Sequence, residues 1–135
     1  MKLSTKSEYA CLALIDLCEN INSMVKIEEI SIRKKIPKKY LEQILLMLKR
    51  SGYLRSRRGP EGGYCLAREP HEITIAEIVR LMDGALAPVG SVSSYFYEHS
   101  PIEQNPRLVS IFREIRNYIS DRLENTTFAD LVESK

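Results

Sequence analysis

Two short stretches of this 135-residue chain carry side chains that could do chemistry on a polyanion. The first, Lys38-Lys39-Tyr40-Leu41-Glu42-Gln43, sets two cations, a phenol, a carboxylate and an amide within two helical turns. On a helix lying in a DNA major groove, Gln can bond adenine through two contacts, Glu can accept from cytosine N4, and Lys can reach guanine or a phosphate. The second, LRSRRGPEGGYCLA (54–67), places Arg55, Arg57 and Arg58 before Gly59, Gly62 and Gly63. Glycine lets a backbone turn tightly and approach a sugar-phosphate wall, and arginines on a narrow arm suit phosphates or a minor groove. Either stretch alone would also fit a solvated polar face; together, in this order, they point to nucleic acid.

Other chemistries find little support. His71 and His99 are isolated from each other and from any cysteine, neither a GxGxxG run nor a P-loop is present, and no Cys/His set has zinc spacing. No enzymatic constellation emerges. Cys11, Cys18 and Cys65 form no CxxC pair, and seven helical residues would hold Cys11 and Cys18 about 10 Å apart, too far for a disulfide. They read as small buried hydrophobes, with Cys65 packing inward from a strand.

The elements that must position the two basic stretches follow from periodicity and caps. Thr5 and Glu8 have the form of a capping box, and Cys11, Leu14, Ile15 and Cys18 recur at helical spacing, predicting a buried helix over 5–19. A turn at 20–23 leads through an extended 24–26 to a brief second helix supported by Ile27, Ile30 and Ile32. Ile36-Pro37 breaks that helix, and a third runs over 37–51 with Leu41, Ile44, Leu45 and Leu48 as its apolar stripe and Gly52 beyond its end. Helix, short break and helix with a polar outer face is the helix-turn-helix pattern. The β-leaning runs 53–58 and 63–67 then predict a hairpin, which in that place is a wing.

Thr74 and Glu77 cap a fourth helix carrying Ile75, Ile78, Val79 and Met82 and ending at Asp83-Gly84. Residues 85–105 show no period, and loops of such length within small domains are usually functional or disordered. Asn105-Pro106 starts a long helix over 106–124, and Thr127 with Asp130 caps a short tail helix over 127–133. The long helix bears Leu108, Ile111, Phe112, Ile115, Tyr118 and Ile119, a stripe too broad for one small domain, which predicts a homodimer. The fold class is thus mainly α with a small β-hairpin wing: 1–84 a winged helix-turn-helix, 85–105 an effector or sensor loop, and 106–135 a dimerisation helix and tail.

The net charge of +2 hides an asymmetry. Residues 1–68 hold 14 Lys/Arg against 7 Asp/Glu, whereas 69–135 hold 6 against 11. A basic half joined to an acidic half suggests that one end meets a polyanion and the other does something else. The N-terminal apolar run is broken by Asp16 and Glu19, so neither a signal peptide nor a membrane span is expected, and the cytoplasm follows by default.

LSTKSEYA (3–10), KKYLEQIL (38–45), RRGPEGGYCLA (57–67), ITIAEIVRLMDG (73–84) and NTTFADL (125–131) occur in an order that resembles the Rrf2 family of bacterial transcription regulators. The resemblance covers nearly the whole chain and implies a winged helix-turn-helix dimer, with a long C-terminal helix crossing the partner, that usually represses genes. Tyr40, Glu42 and Gln43 match the family's base-reading residues; Arg58, Gly59, Gly62 and Gly63 match its wing. Lys38 and Lys39 stand where small hydroxyl residues are common in relatives. The iron-sulfur branch places three cysteines in the loop after the fourth helix, and here that loop holds none. Ser91, Ser93 and Ser100 are far poorer iron ligands than thiolate, so no iron-sulfur cluster is expected, with Glu98 and His99 left as donors for an unusual metal site.

The resulting expectation is a repressor that binds a palindromic operator in double-stranded DNA as a homodimer, with a small molecule or protein effector acting through the loop and its aromatics Tyr95, Phe96 and Tyr97. No cofactor and no membrane partner is expected. The competing class is a protein-interaction module that docks a metabolic enzyme.

Overall fold

The computed structural model describes residues 2–132. Five helices and one hairpin follow in the order α1 (Thr5–Glu19), α2 (Ile27–Lys34), α3 (Lys38–Arg50), β1 (Leu54–Arg57), β2 (Gly63–Leu66), α4 (Ile75–Asp83) and α5 (Pro106–Glu124). This is the expected architecture, a mainly α winged helix with a long C-terminal helix.

One cap lies a residue earlier than expected. Ser4, not Thr5, caps α1, its hydroxyl accepting from the Ser7 N–H at 3.0 Å. The reason is tertiary: Asp83 at the end of α4 accepts from both the backbone N–H and the hydroxyl of Ser4, which fixes Ser4 just outside the helix. Thr74 and Glu77 do form the expected capping box, and the Asn105 side chain accepts from the Leu108 N–H at the start of α5.

The core lies where α1, α2, α3 and α4 meet. Ala10, Ala13, Leu14 and Leu17 of α1 are buried with Ile30 of α2 and with Leu41, Ile44, Leu45 and Leu48, the whole apolar stripe expected of α3. Of the three isoleucines taken as support for α2, only Ile30 is buried, while Ile32 is exposed. The tail returns to this core: Phe128 is fully buried in it, and its N–H donates to the Ile73 carbonyl. By packing, the tail therefore rests on the winged-helix unit. It forms a short 3-10 turn over Ala129–Leu131, opened by the reciprocal bonds of Thr127 and Asp130; position 133 of the expected tail helix lies outside the described residues. A smaller cluster of Ala76, Val79 and Leu86 with Ile119 and Leu123 joins α4 to α5.

The loop over 85–105 is not structureless. It makes two 3-10 turns, Gly90–Val92 and Pro101–Gln104, and buries Ser91, Val92 and Ser93. Among the described residues, no helix is long and apolar enough to cross a membrane.

Candidate nucleic-acid interface

Two ion pairs lock α2 to α1. Asp16, buried on the inner side of α1, accepts from Arg33 Nε at 2.8 Å and Nη2 at 2.9 Å. Both carboxylate oxygens are thereby satisfied, which a buried charge requires. Lys34 reaches Glu19 at 2.6 Å beside it. The break after α2 is sharp: Lys35 adopts a left-handed conformation at φ 55°, the Ser31 hydroxyl donates to the Ile36 carbonyl at 2.6 Å, and Pro37 precedes the first residue of α3. A left-handed residue, a side-chain hydrogen bond and a proline thus set the direction of α3.

With Leu41, Ile44, Leu45 and Leu48 facing inward, α3 turns Lys38, Lys39, Tyr40, Glu42 and Gln43 to solvent. All five were expected to be available, and all five are exposed. Lys38 also pairs with Glu28 of α2 at 3.0 Å, and this hydrogen bond raises the pKa of its ammonium. Tyr40 has an aromatic neighbour that sequence reading did not foresee: the Tyr9 ring of α1 meets it edge-on, with centroids 6.3 Å apart and planes at 64°. Leu46, also unforeseen, is an exposed apolar residue three positions after Gln43. Its place outside the buried stripe was the available signal.

The wing pairs Leu54 with Leu66, Arg55 with Cys65, Ser56 with Tyr64 and Arg57 with Gly63. Alternation in this register sends Leu54, Tyr64 and Leu66 toward the core and Arg55 and Arg57 to the other face. Cys65 shares the face of Arg55, so the expectation that it packs inward is corrected by the register. Arg55, Arg57 and Arg58 are all exposed.

The glycines of the turn have distinct physical causes. A side chain at Gly62 would bring its Cβ to 2.1 Å from the Arg57 carbonyl oxygen; at Gly63, whose φ is +145°, it would meet the Val25 carbonyl oxygen at 2.5 Å. That second approach belongs to a third, one-residue strand: Val25 and Tyr64 exchange backbone hydrogen bonds of 2.8 and 2.7 Å. The extended Met24 to Lys26 segment therefore ties the wing base to the entrance of α2.

A fourth arginine, Arg68, just beyond the stretch, has a different task. Arg68 lies 5.1 Å above the Tyr53 ring and 3.3 Å from Glu77, whose carboxylate also accepts from the Tyr53 hydroxyl. Burial pushes the Tyr53 phenol up, with the Glu77 charge adding to it. For Glu77, burial works upward but is outweighed by bonds from Thr74 and Tyr53 and by Arg68, so its pKa is lowered.

The acidic half presents different surfaces. Leu108, Ile111, Ile115 and Tyr118, spaced three, four and three apart, form an exposed stripe on α5; Ile111 is 54% and Tyr118 71% exposed. Two further residues expected at a dimer seam differ: Ile119 packs with the α4 cluster, and Phe112 is half-buried. Between the N-terminal residues, α4 and α5 lies a cleft of about 850 Å³, lined by Leu3, Met82, Leu86, Leu123, Lys2 and Arg122 among others. Above it in the chain, Tyr95, Phe96 and Tyr97 are exposed; Arg80 lies 4.5 Å over the Tyr95 ring, and Arg116 donates to Ser94 at 2.7 Å.

A helix-turn-helix whose second helix exposes a polar face, followed by an arginine-bearing hairpin, defines the winged-helix class of DNA-binding regulators. Within that class the family is shown directly. Residues 3–134 match the family model described as "Rrf2: Iron-dependent Transcriptional regulator", and the chain belongs to this family. It is 30% identical over 132 residues to the HTH-type transcriptional regulator CymR of Bacillus subtilis (strain 168), covering 97% of this chain and 89% of that one. It is 43% identical over 86 residues to the HTH-type transcriptional regulator IscR of Cereibacter sphaeroides, covering 62% and 56%. Among solved structures, the oxidized form of Staphylococcus aureus CymR superposes with a TM-score of 0.81 at 29% identity, over 100% of this chain and 98% of that chain. The protein is thus a helix-turn-helix transcriptional regulator, in a family made up of transcriptional regulators.

The iron in the family description can be set against the donors present. Ser100 Oγ lies 3.3 Å from Ser91 Oγ, and both Ser91 and Ser93 are buried hydroxyls, poor ligands for iron beside thiolate. His99 pairs with Glu103, which also accepts from the Tyr97 hydroxyl. Burial pushes the Cys11 and Cys18 thiols up to about 11, away from the thiolate form a metal needs. Among the described residues, no group of three or more His, Cys, Asp or Glu could hold a metal. These residues do not fit a cysteine-held cluster.

Proposed function

We propose that two copies of this chain bind a palindromic operator and repress the genes beside it, without an iron-sulfur cluster. The exposed Lys39, Glu42 and Gln43 face of α3 carries this reading, because it unites base-reading chemistry with a helix whose buried Leu41, Ile44, Leu45 and Leu48 turn that face outward. Tyr40 joins the base contacts, while Lys38 exchanges Glu28 for phosphate. Arg55, Arg57 and Arg58, with the exposed backbone at Gly59, supply sequence-independent contacts along the wing, while Gly62, which is buried, and Gly63 shape the turn that carries them. The exposed α5 stripe of Leu108, Ile111, Ile115 and Tyr118 joins the copies, with Phe112 at its edge. A two-fold protein then presents two α3 helices to half-sites one DNA turn or a multiple apart.

Control enters through residues 85–105. The cleft between α4 and α5 adjoins the first residues of this segment and the α5 stripe, so a small apolar ligand there would bear on the dimer and, through α4, on the winged helix. The protein acts on DNA in the cytoplasm.

Gel shifts on the gene's own upstream region test the reading. A discrete complex on a palindromic site, outcompeted poorly by random duplex, supports it; equal affinity for random duplex overturns it. Visible spectra taken with and without oxygen, together with iron and sulfide analysis, test the cluster-free assignment, which stoichiometric iron and sulfide would overturn.

A further inference from the structure

We infer that Tyr9 of α1 is a positioning residue for base recognition, holding the Tyr40 ring in the one orientation from which it reads DNA. The inference rests on the proposed role of α3 and extends the recognition surface to a helix outside the helix-turn-helix.

Tyr40 sits in the first turn of α3, one residue before the buried Leu41, and is 59% exposed. A side chain so placed has little core packing to choose its rotamer, and an exposed tyrosine that samples several rotamers makes a poor base contact, since ordering it on binding costs entropy. The Tyr9 ring supplies the missing constraint. Its edge-on contact with Tyr40, at 6.3 Å and 64°, is the arrangement that aromatic quadrupoles favour. Tyr9 itself is held firmly: it is half-buried against the main core and lies beside Ala10, which is fully buried in α1. The anchored ring thus orients the exposed one.

This arrangement separates affinity from specificity. Phosphate contacts by the wing do not pass through Tyr9, so removing its ring should spare binding to random duplex and weaken only the reading of the preferred site.

The test compares wild type, Tyr9→Leu, Tyr9→Phe and Tyr40→Ala on the duplex that wild-type protein enriches from a random-sequence pool and on a scrambled duplex of equal length. Leucine keeps an apolar contact with the core, and thermal melting confirms that each variant is folded. Tyr9→Leu should lower the preference for the enriched duplex about fivefold, with scrambled-duplex affinity unchanged. Tyr9→Phe, which keeps the ring, should retain the preference, and Tyr9→Leu added to Tyr40→Ala should cost nothing more. An unchanged preference in Tyr9→Leu overturns the inference while leaving the proposed function standing. So does an equal loss in Tyr9→Phe, which would make the hydroxyl the active group, or full additivity with Tyr40→Ala. If wild type enriches no sequence, the inference and the proposed function fall together.

Discussion

The two halves of this molecule use apolar side chains differently. Up to Leu66 most of them point inward: α3 buries Leu41, Ile44, Leu45 and Leu48 and shows solvent a mainly charged and polar face, with Ile32, Tyr40 and Leu46 among the exposed exceptions. Beyond Ala85 more of them point outward: α5 exposes Leu108, Ile111, Ile115 and Tyr118, and the preceding loop exposes three aromatics, while Leu86, Val92, Val109 and Phe128 stay buried. The core of the first region closes within one chain, completed by Ile73, Ile78 and Phe128 from further along, whereas the second leaves an apolar stripe uncovered. Contiguous exposed apolar surface is a feature of interaction sites, and charge divides along the same line, with 14 Lys/Arg against 7 Asp/Glu in residues 1–68 and 6 against 11 in 69–135.

Substitutions in the two regions should therefore fail differently. Leu45→Ala, in the fully buried stripe, should lower unfolding free energy by about 2–5 kcal/mol in chemical denaturation, through lost burial and a cavity. If the loss were below 1 kcal/mol, the winged-helix core would not be the rigid half. Ile111→Glu, on the exposed stripe, should leave monomer stability within about 0.5 kcal/mol yet raise the dimer dissociation constant at least tenfold in sedimentation equilibrium, by placing a charge in an apolar seam. An unaltered dimer would mean that the open face serves another partner.

Effects on DNA should divide again within the basic half. Gln43→Ala should cost about 1–3 kcal/mol at one base-pair position and relax preference there, whereas Arg57→Ala should weaken all duplexes alike and reduce the salt slope by about one. Uniform losses from both would merge the reading helix and the wing into one electrostatic surface. The smallest effect concerns the joint between wing and α4. Because its pKa is lowered in the folded state, Glu77 contributes stability above the ordinary carboxylate range that fades as pH falls through its folded value. Denaturation across pH 3–6 should show a steeper acid loss for wild type than for Glu77→Gln. Thr74→Ala should cost about 1 kcal/mol by uncapping the same helix.

What could be read from sequence was what neighbours in the chain decide. The i, i+3, i+4, i+7 stripe of α3, the Thr74–Glu77 box and the Asn105-Pro106 start of α5 are local signals, and the structure bears them out. The exposure of Lys38, Lys39, Tyr40, Glu42 and Gln43 followed from the same periodicity of α3, whereas the burial of Gly62 in the wing turn did not. Long-range pairings were hidden. Ser4 displaces Thr5 as cap because Asp83, 79 residues away, holds it. Cys65 faces outward because of the register with β1, and Tyr64 bonds Val25, far upstream. Arg68 looks like another wing cation until Tyr53 and Glu77 fold against it, and Tyr9 acquires a role only when α1 crosses α3.

The proposed dimer reads DNA sequence through α3. Hydroxyl-radical footprinting on the enriched duplex, with the number of bound chains measured by sedimentation, addresses this most directly. Two chains protecting two symmetric half-sites, centred about 10 base pairs or a multiple apart and insensitive to competitor DNA, are predicted. One chain on a single unsymmetric site, or protection that drifts along any duplex, would contradict the account.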